Sequence, residues 1–178
     1  MKKRLVKLLT GILMCSLCVG LFSPATGAQA ASKKTKARAR AAYKRVVKSC
    51  IEESYNGTVK AVFVDIDRDG IKDLIIQNEQ LSLDCYSYKK GSLKHSSFNT
   101  CMRTRVFYNK KRKSIATVTK YDQSSSGSYN YYLYYRLKRG TLSDAKQDDD
   151  FMTLRKGYKK IKLKTVKKAN IKKFIKKM

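Results

Sequence analysis

Hydrophobic positions along this chain change period twice. Between residues 31 and 56 they recur at helical spacing. Tyr43, Val46, Val47, Cys50 and Ile51 fall at i, i+3, i+4, i+7 and i+8 and share one face, while Lys44, Arg45, Lys48, Glu52 and Glu53 take the other. The pattern predicts a helix over 31–56 with Gly57 as its stop, its basic first turns (33–40) prone to fraying. After Gly57 short β-rich runs alternate with polar turns: 59–64, 74–76, 85–88, 93–98, 105–108, 115–121, 129–137 and 159–163. These predict an antiparallel β-meander over 58–164, broken by a Ser/Gly loop at 123–128. Over 166–178 the period turns helical again, with Ile171, Phe174, Ile175 and Met178 on one face and Asn170 placed as a cap. The expected fold class is α+β, in one domain spanning 31–178.

The turns carry a loose repeat. Lys89-Lys90-Gly91-Ser92-Leu93 matches Lys138-Arg139-Gly140-Thr141-Leu142, with weaker relatives at 110–115 and 155–158. Each reads as a tight hairpin, and hairpin chemistry on a lysine-rich background explains the likeness as well as duplication does. In a plain meander, alternate turns lie at the same end of the sheet. That count places Lys90, Lys111, Arg139 and Lys156 at one end, together with the turn at 65–73, and the acidic run 148–150 at the other.

Ahead of the helix, residues 1–30 read as a secretory signal. Lys2, Lys3, Arg4 and Lys7 precede an apolar run over 8–22, and Ala28-Gln29-Ala30 is a small-x-small cleavage site. The run is short of the roughly 20 residues that span a bilayer. Cleavage after Ala30 gives a secreted or wall-associated protein. The full chain has 41 Lys and Arg against 13 Asp and Glu. Losing those four basic residues leaves 37 against 13, a formal charge of +24. Cys50, Cys85 and Cys101 remain, an odd number that cannot all pair in one chain. With Lys89 opposite Ser92, Cys85 faces Ser96 rather than Cys101, so three small apolar side chains are expected instead of a disulfide framework.

Within this basic chain lies an acidic knot, Asp65-Ile66-Asp67-Arg68-Asp69-Gly70-Ile71-Lys72-Asp73. Its carboxylates occupy loop positions 1, 3, 5 and 9, with glycine at 6. Four carboxylates so close repel one another unless a cation lies between them. Calcium, a hard ion that takes six to eight oxygens, suits the set. Position 12 is Ile76, which cannot supply the bidentate Glu of an EF-hand, and strands flank the loop. Weak affinity, about 10⁻⁴–10⁻³ M, follows, appropriate to extracellular calcium. The alternative is an Asp-Gly hairpin turn with no ion.

Residues 64–74 resemble the strand–loop–strand calcium loops of FG-GAP and VCBS repeats. Together with the leading helix they are similar to small secreted proteins of Gram-positive type that carry a single such loop. The resemblance implies side-chain ligation by Asp65, Asp67, Asp69 and Asp73, a carbonyl from Ile71, and a structural Ca²⁺. A propeller needs several copies and the chain has one, so a propeller fold is not implied.

The remaining charge points to polyanions. Residues 155–177 hold twelve basic side chains and no acid. Lysine outnumbers arginine, which suits diffuse attraction to phosphates more than bidentate reading of bases. Candidate contacts are Lys90, Lys111, Arg139, Lys156, Lys172 and Lys176. Candidate partners are teichoic acid or acidic polysaccharide of the envelope, nucleic acid, or an anionic membrane surface met by the last helix. A merely solubilising surface is the plainer reading. The tyrosines at 129, 131, 132, 134 and 135 suit strand packing as well as stacking on sugars or bases. Catalytic signals are sparse: one histidine, His95, and no nucleophile, zinc or phosphate-loop motif. The sequence therefore supports a non-catalytic binding module. A small hydrolase of wall polymer or nucleic acid and a membrane-active cationic protein stand as alternatives.

Overall fold

A computed structural model describes residues 31–78, 82–100, 104–123, 127–144 and 153–178. Ser32 starts helix α1 (Lys33–Glu53) by accepting the Thr35 N–H at 3.1 Å, which satisfies one of the orphan donors of the first turn. Tyr43, Val47 and Ile51 turn inward, joined by Ala39 and Ala42. The helix ends at Glu53 rather than running to 56. Ser54 leaves helical geometry at φ −82 and ψ 137, its hydroxyl donates to the Ile51 carbonyl, and Gly57 reverses the chain at φ 60.

Ten strands follow among the described residues: β1 (Thr58–Val64), β2 (Asp73–Gln77), β3 (Ser82–Lys89), β4 (Ser92–Asn99), β5 (Arg105–Asn109), β6 (Ser114–Gln123), β7 (Gly127–Lys138), β8 (Thr141–Asp144), β9 (Lys159–Lys160) and β10 (Lys164–Lys167). A 3₁₀ turn (Lys168–Asn170) and helix α2 (Ile171–Ile175) close the chain. The strands form two antiparallel five-stranded sheets, ordered β10-β1-β2-β3-β4 and β8-β7-β6-β5-β9. The fold is thus α+β, a helix packed on meander-type sheets with a short C-terminal helix and no propeller. The single meander expected over 58–164 is two, β1–β4 and β5–β8. Each is extended by a late strand that returns to its first member: Val166 opposite Val59, and Lys159 opposite Tyr108.

Alternation along the strands builds three layers. Val59, Ala61, Leu74, Ile76 and Val166 face the helices. From the opposite face of the same sheet, Ile75, Leu83 and Cys85 meet Val106, Ile115, Tyr135 and Leu142 of the second sheet. Covered on both faces, β2 reads as the unbroken run Leu74-Ile75-Ile76, all fully buried.

The segment 166–178 is not one helix. Its start is strand β10, because β1 otherwise leaves an edge of unpaired amides. Ile171, Phe174 and Ile175 are buried, and the Phe174 ring stacks on Phe63 at 4.8 Å. The apolar stripe is therefore packed inside the protein. Asn170 precedes α2 without capping its amides; its Oδ1 accepts the Lys167 N–H at 2.9 Å.

The matched turns fold alike. Lys90 and Gly91 have φ of 48 and 81, and Arg139 and Gly140 have 53 and 88, the two positive values of a type I′ turn. In each, the following hydroxyl returns to the carbonyl that opens the turn, Ser92 to Lys89 at 3.1 Å and Thr141 to Lys138 at 3.2 Å. These turns lie at the same end as the acidic loop. Lys89 reaches Asp67 and Asp69. A Cβ on Gly140 would stand 2.7 Å from Lys89 Cγ. Tyr108 Oη donates to the Asp65 carbonyl at 2.8 Å, and Asn109 Nδ2 donates to the Lys156 carbonyl at 3.4 Å. The run 148–150 lies outside the described residues.

Candidate functional site

The acidic loop is wound by its own carboxylates. Arg68 and Gly70 take positive φ, 66 and 80, which folds the backbone back on itself. Asp65 Oδ2 accepts the Gly70 N–H at 3.3 Å, and Asp69 Oδ1 accepts the Ile71 N–H at 2.9 Å. Asp65, Asp67 and Asp69 each bring one carboxylate oxygen within 4.8 Å of the others. This group can hold a metal ion. Two of its oxygens, Asp65 Oδ1 and Asp67 Oδ1, are buried and have no hydrogen-bond partner among the described residues. Unpaired buried carboxylate oxygens are costly, and a cation is the species that satisfies two at once. The donor set, all hard oxygen, fits such an ion.

Lys89 supplies part of the compensation. Its ammonium pairs with both Asp67 and Asp69, and its side chain is only 16 % exposed. Burial alone would lower its pKa, but the hydrogen bonds to the two carboxylates outweigh that and raise it. Three carboxylates and one ammonium leave two negative charges, the charge of one divalent cation. Nothing in the loop motif points to Lys89; only its place one residue before a turn that the meander folds back toward the loop does.

Asp73 stands apart from the cluster of three. It is 1 % exposed, with Oδ2 accepting the Ile66 N–H at 2.9 Å and Oδ1 accepting the Ser87 hydroxyl. Burial pushes its pKa up to about 7 against the pull of those two bonds. Asp73 thus ties the loop's exit to its entrance and to β3. The Ile71 side chain is buried in the core beneath the helices.

The basic candidates divide. Lys111 and Lys156 line one cavity of about 680 Å³, together with Lys110, Arg112, Arg136 and Lys159. The sequence reading missed those four. Their side chains come from three stretches of chain, brought together by the pairing of β7 with β6 and of β9 with β5. Lys90 and Arg139 are exposed at the tips of their turns outside this cavity, and Lys172 and Lys176 are exposed on and just after α2.

His95 is exposed on β4. Its Nε2 lies 2.8 Å from Asp84 Oδ1, and its ring stacks on Tyr86 at 4.4 Å. Asp84 is 6 % exposed and also accepts the Ser82 hydroxyl at 2.8 Å. Cys85 is buried and does face Ser96, while Cys50 is half-buried; both carry free thiols. Burial pushes both thiols above the ordinary range, which disfavours the nucleophilic thiolate. Cys101 lies outside the described residues. Among the described residues no helix is long and apolar enough to cross a membrane.

Comparison with protein-family models, with curated proteins and with solved structures finds no match to this chain.

Proposed function

We propose that this chain is a secreted, calcium-loop-containing, non-catalytic binding module of the cell envelope, attracted to polyanions. The observation that carries the reading is the segregation of charge. Among the acids whose side chains are described, Asp65, Asp67, Asp69, Asp73 and Asp84 are engaged in bonds within the protein, and Glu52 and Glu53 in bonds along α1. The basic turns stay exposed. Among the described residues, a polyanion approaching the turn-bearing end meets exposed lysine and arginine, while Asp67 and Asp69 are paired with Lys89.

Calcium is the favoured ion because the donors brought together are carboxylate oxygens, and extracellular calcium is abundant enough to fill a weak site. The ion would hold the loop that braces Lys89 and Tyr108, and so fix the end of the sheets from which the basic turns project. Teichoic acid, acidic polysaccharide and nucleic acid share the chemistry such a surface attracts, as does an anionic membrane.

The test is binding of residues 31–178 to fluorescent wall polymer, heparin-like polysaccharide, DNA and anionic vesicles across a salt series. Affinity that falls steeply with salt supports the reading, since counterion release drives such binding. No binding to any polyanion at low salt contradicts it. The second reading, a small hydrolase, is favoured by the His95–Asp84 pair, a histidine oriented by a buried carboxylate. Turnover of those polymers that His95→Ala abolishes would favour it over the binding module.

A further inference from the structure

Six cationic side chains surround one hollow of about 680 Å³ beside the second sheet: Lys110, Lys111, Arg112, Arg136, Lys156 and Lys159. All six are exposed, and none is paired with an acid among the described residues. Like charges gathered around one hollow repel one another. The fold nevertheless holds them in place with a buried brace. Asn109, 4 % exposed, accepts the Arg112 N–H on Oδ1 at 3.0 Å and donates from Nδ2 to the Lys156 carbonyl at 3.4 Å. One amide thus fixes both basic segments. Gly157, at φ 87, lets the second segment approach: a Cβ there would lie 3.0 Å from Asn109 Nδ2. Below, the Ser114 and Tyr158 hydroxyls bond at 2.7 Å.

We infer that this hollow is the seat of the anionic ligand, and that the ligand is a base-free phosphodiester chain. The inference rests on the polyanion reading and deepens it. Phosphate oxygens match the donors: four lysines neutralise charge and two arginines offer forked N–H pairs. The hollow's volume suits a short segment of a flexible chain. Nucleobases are disfavoured. Single-stranded nucleic acid is gripped by stacking on aromatic faces, and the one aromatic lining residue, Tyr108, is half-buried and held by its bond to the Asp65 carbonyl.

The test compares two triple variants of equal charge change by fluorescence anisotropy, with a poly(glycerol phosphate) oligomer as probe. One is Lys111→Gln/Arg136→Gln/Lys156→Gln in the hollow. The other is Lys33→Gln/Lys34→Gln/Lys44→Gln on the exposed side of α1. All six positions are on the surface, and circular dichroism melts check that both variants fold. The hollow variant is expected to lose roughly tenfold or more in affinity, and the magnitude of its salt slope to fall by about 2–3. The helix variant is expected to lose under about threefold. Equal losses would overturn the site while leaving bulk attraction to polyanions intact. A single-stranded DNA oligomer of equal charge bound as tightly, with the same dependence on the hollow, would overturn the ligand class. No binding of either probe by the unaltered protein would overturn this inference and the polyanion reading together.

Discussion

Three carboxylates and one ammonium share a small volume at the head of the first sheet, and Lys89 is the member that can be removed cleanly. Lys89→Met keeps the stem that runs beneath Gly140 and deletes the charge. With calcium chelated, the variant is expected to be less stable by about 1–3 kcal/mol, below the figure for a fully buried pair because the site is partly solvated. With calcium present the loss should shrink and the ion should bind more tightly, since a competing cation is gone. Unchanged calcium affinity in Lys89→Met would show that the ammonium does not compete with the ion. At this scale the sequence was a partial guide. The spacing of Asp65, Asp67 and Asp69 is legible because a short loop brings close neighbours together whatever the rest of the chain does. Lys89 is not, because its side chain arrives from another hairpin. Nor is the inward pull on Asp73, which depends on Ser87 across the β2–β3 pair and on the returning Ile66 amide.

Hairpins are the elements the sequence specifies most sharply, since a Gly after a tolerant residue between two β runs encodes a type I′ turn locally. The two Gly turns also allow a matched comparison. Gly91→Ala meets nothing within 4 Å, so it carries only the cost of positive φ, about 1–2 kcal/mol. Gly140→Ala carries the same cost and in addition drives a Cβ into Lys89 Cγ and Lys94 Cγ. It should destabilise more than Gly91→Ala. Urea unfolding of the two variants checks the order. Equal midpoints would contradict the contact between the two turns. The elements that sequence reasoning missed are those defined by distant partners. Residues 166 and 167 read as the start of a basic helix because only Val166 points inward, and β1, over a hundred residues earlier, makes them part of strand β10. Strand β8 was missed for a related reason: it is a four-residue edge strand whose single inward leucine, Leu142, carries too little period to be seen.

For the molecule as a whole, helices and two sheets enclose two cores, and helix α1 and the central sheet carry titratable groups that burial keeps neutral. Tyr43 is fully buried, and its oxygen accepts the Tyr88 N–H at 3.0 Å, at a point of β3 that lies beyond the start of β2. Burial and then the Asp73 charge push its pKa upward; burial likewise raises Cys85 and Tyr86. For each, the folded-state value lies above the unfolded one, near 8.5 for Cys and 10 for Tyr. The stability they contribute is fully present below those values and is lost as pH rises beyond them. Denaturant midpoints should therefore fall between pH 8 and pH 11, and Tyr43→Phe should flatten the decline while lowering stability at pH 8 by about 1–3 kcal/mol, the cost of an unpaired Tyr88 amide. A midpoint independent of pH across that range would contradict the burial of these groups. The layered architecture was only half legible. Local hairpins and the leading helix follow from period, but the division into two stacked sheets depends on which faces find each other.

The calcium loop of the proposed module turns on a cation site inside a cationic chain. Calorimetric titration of calcium into residues 31–178, beside Asp67→Ala, tests it most directly. The expected result is one site with a dissociation constant of about 10⁻⁴–10⁻³ M, a rise in melting temperature with calcium, and loss of both in Asp67→Ala. No heat and no thermal shift at millimolar calcium would contradict it.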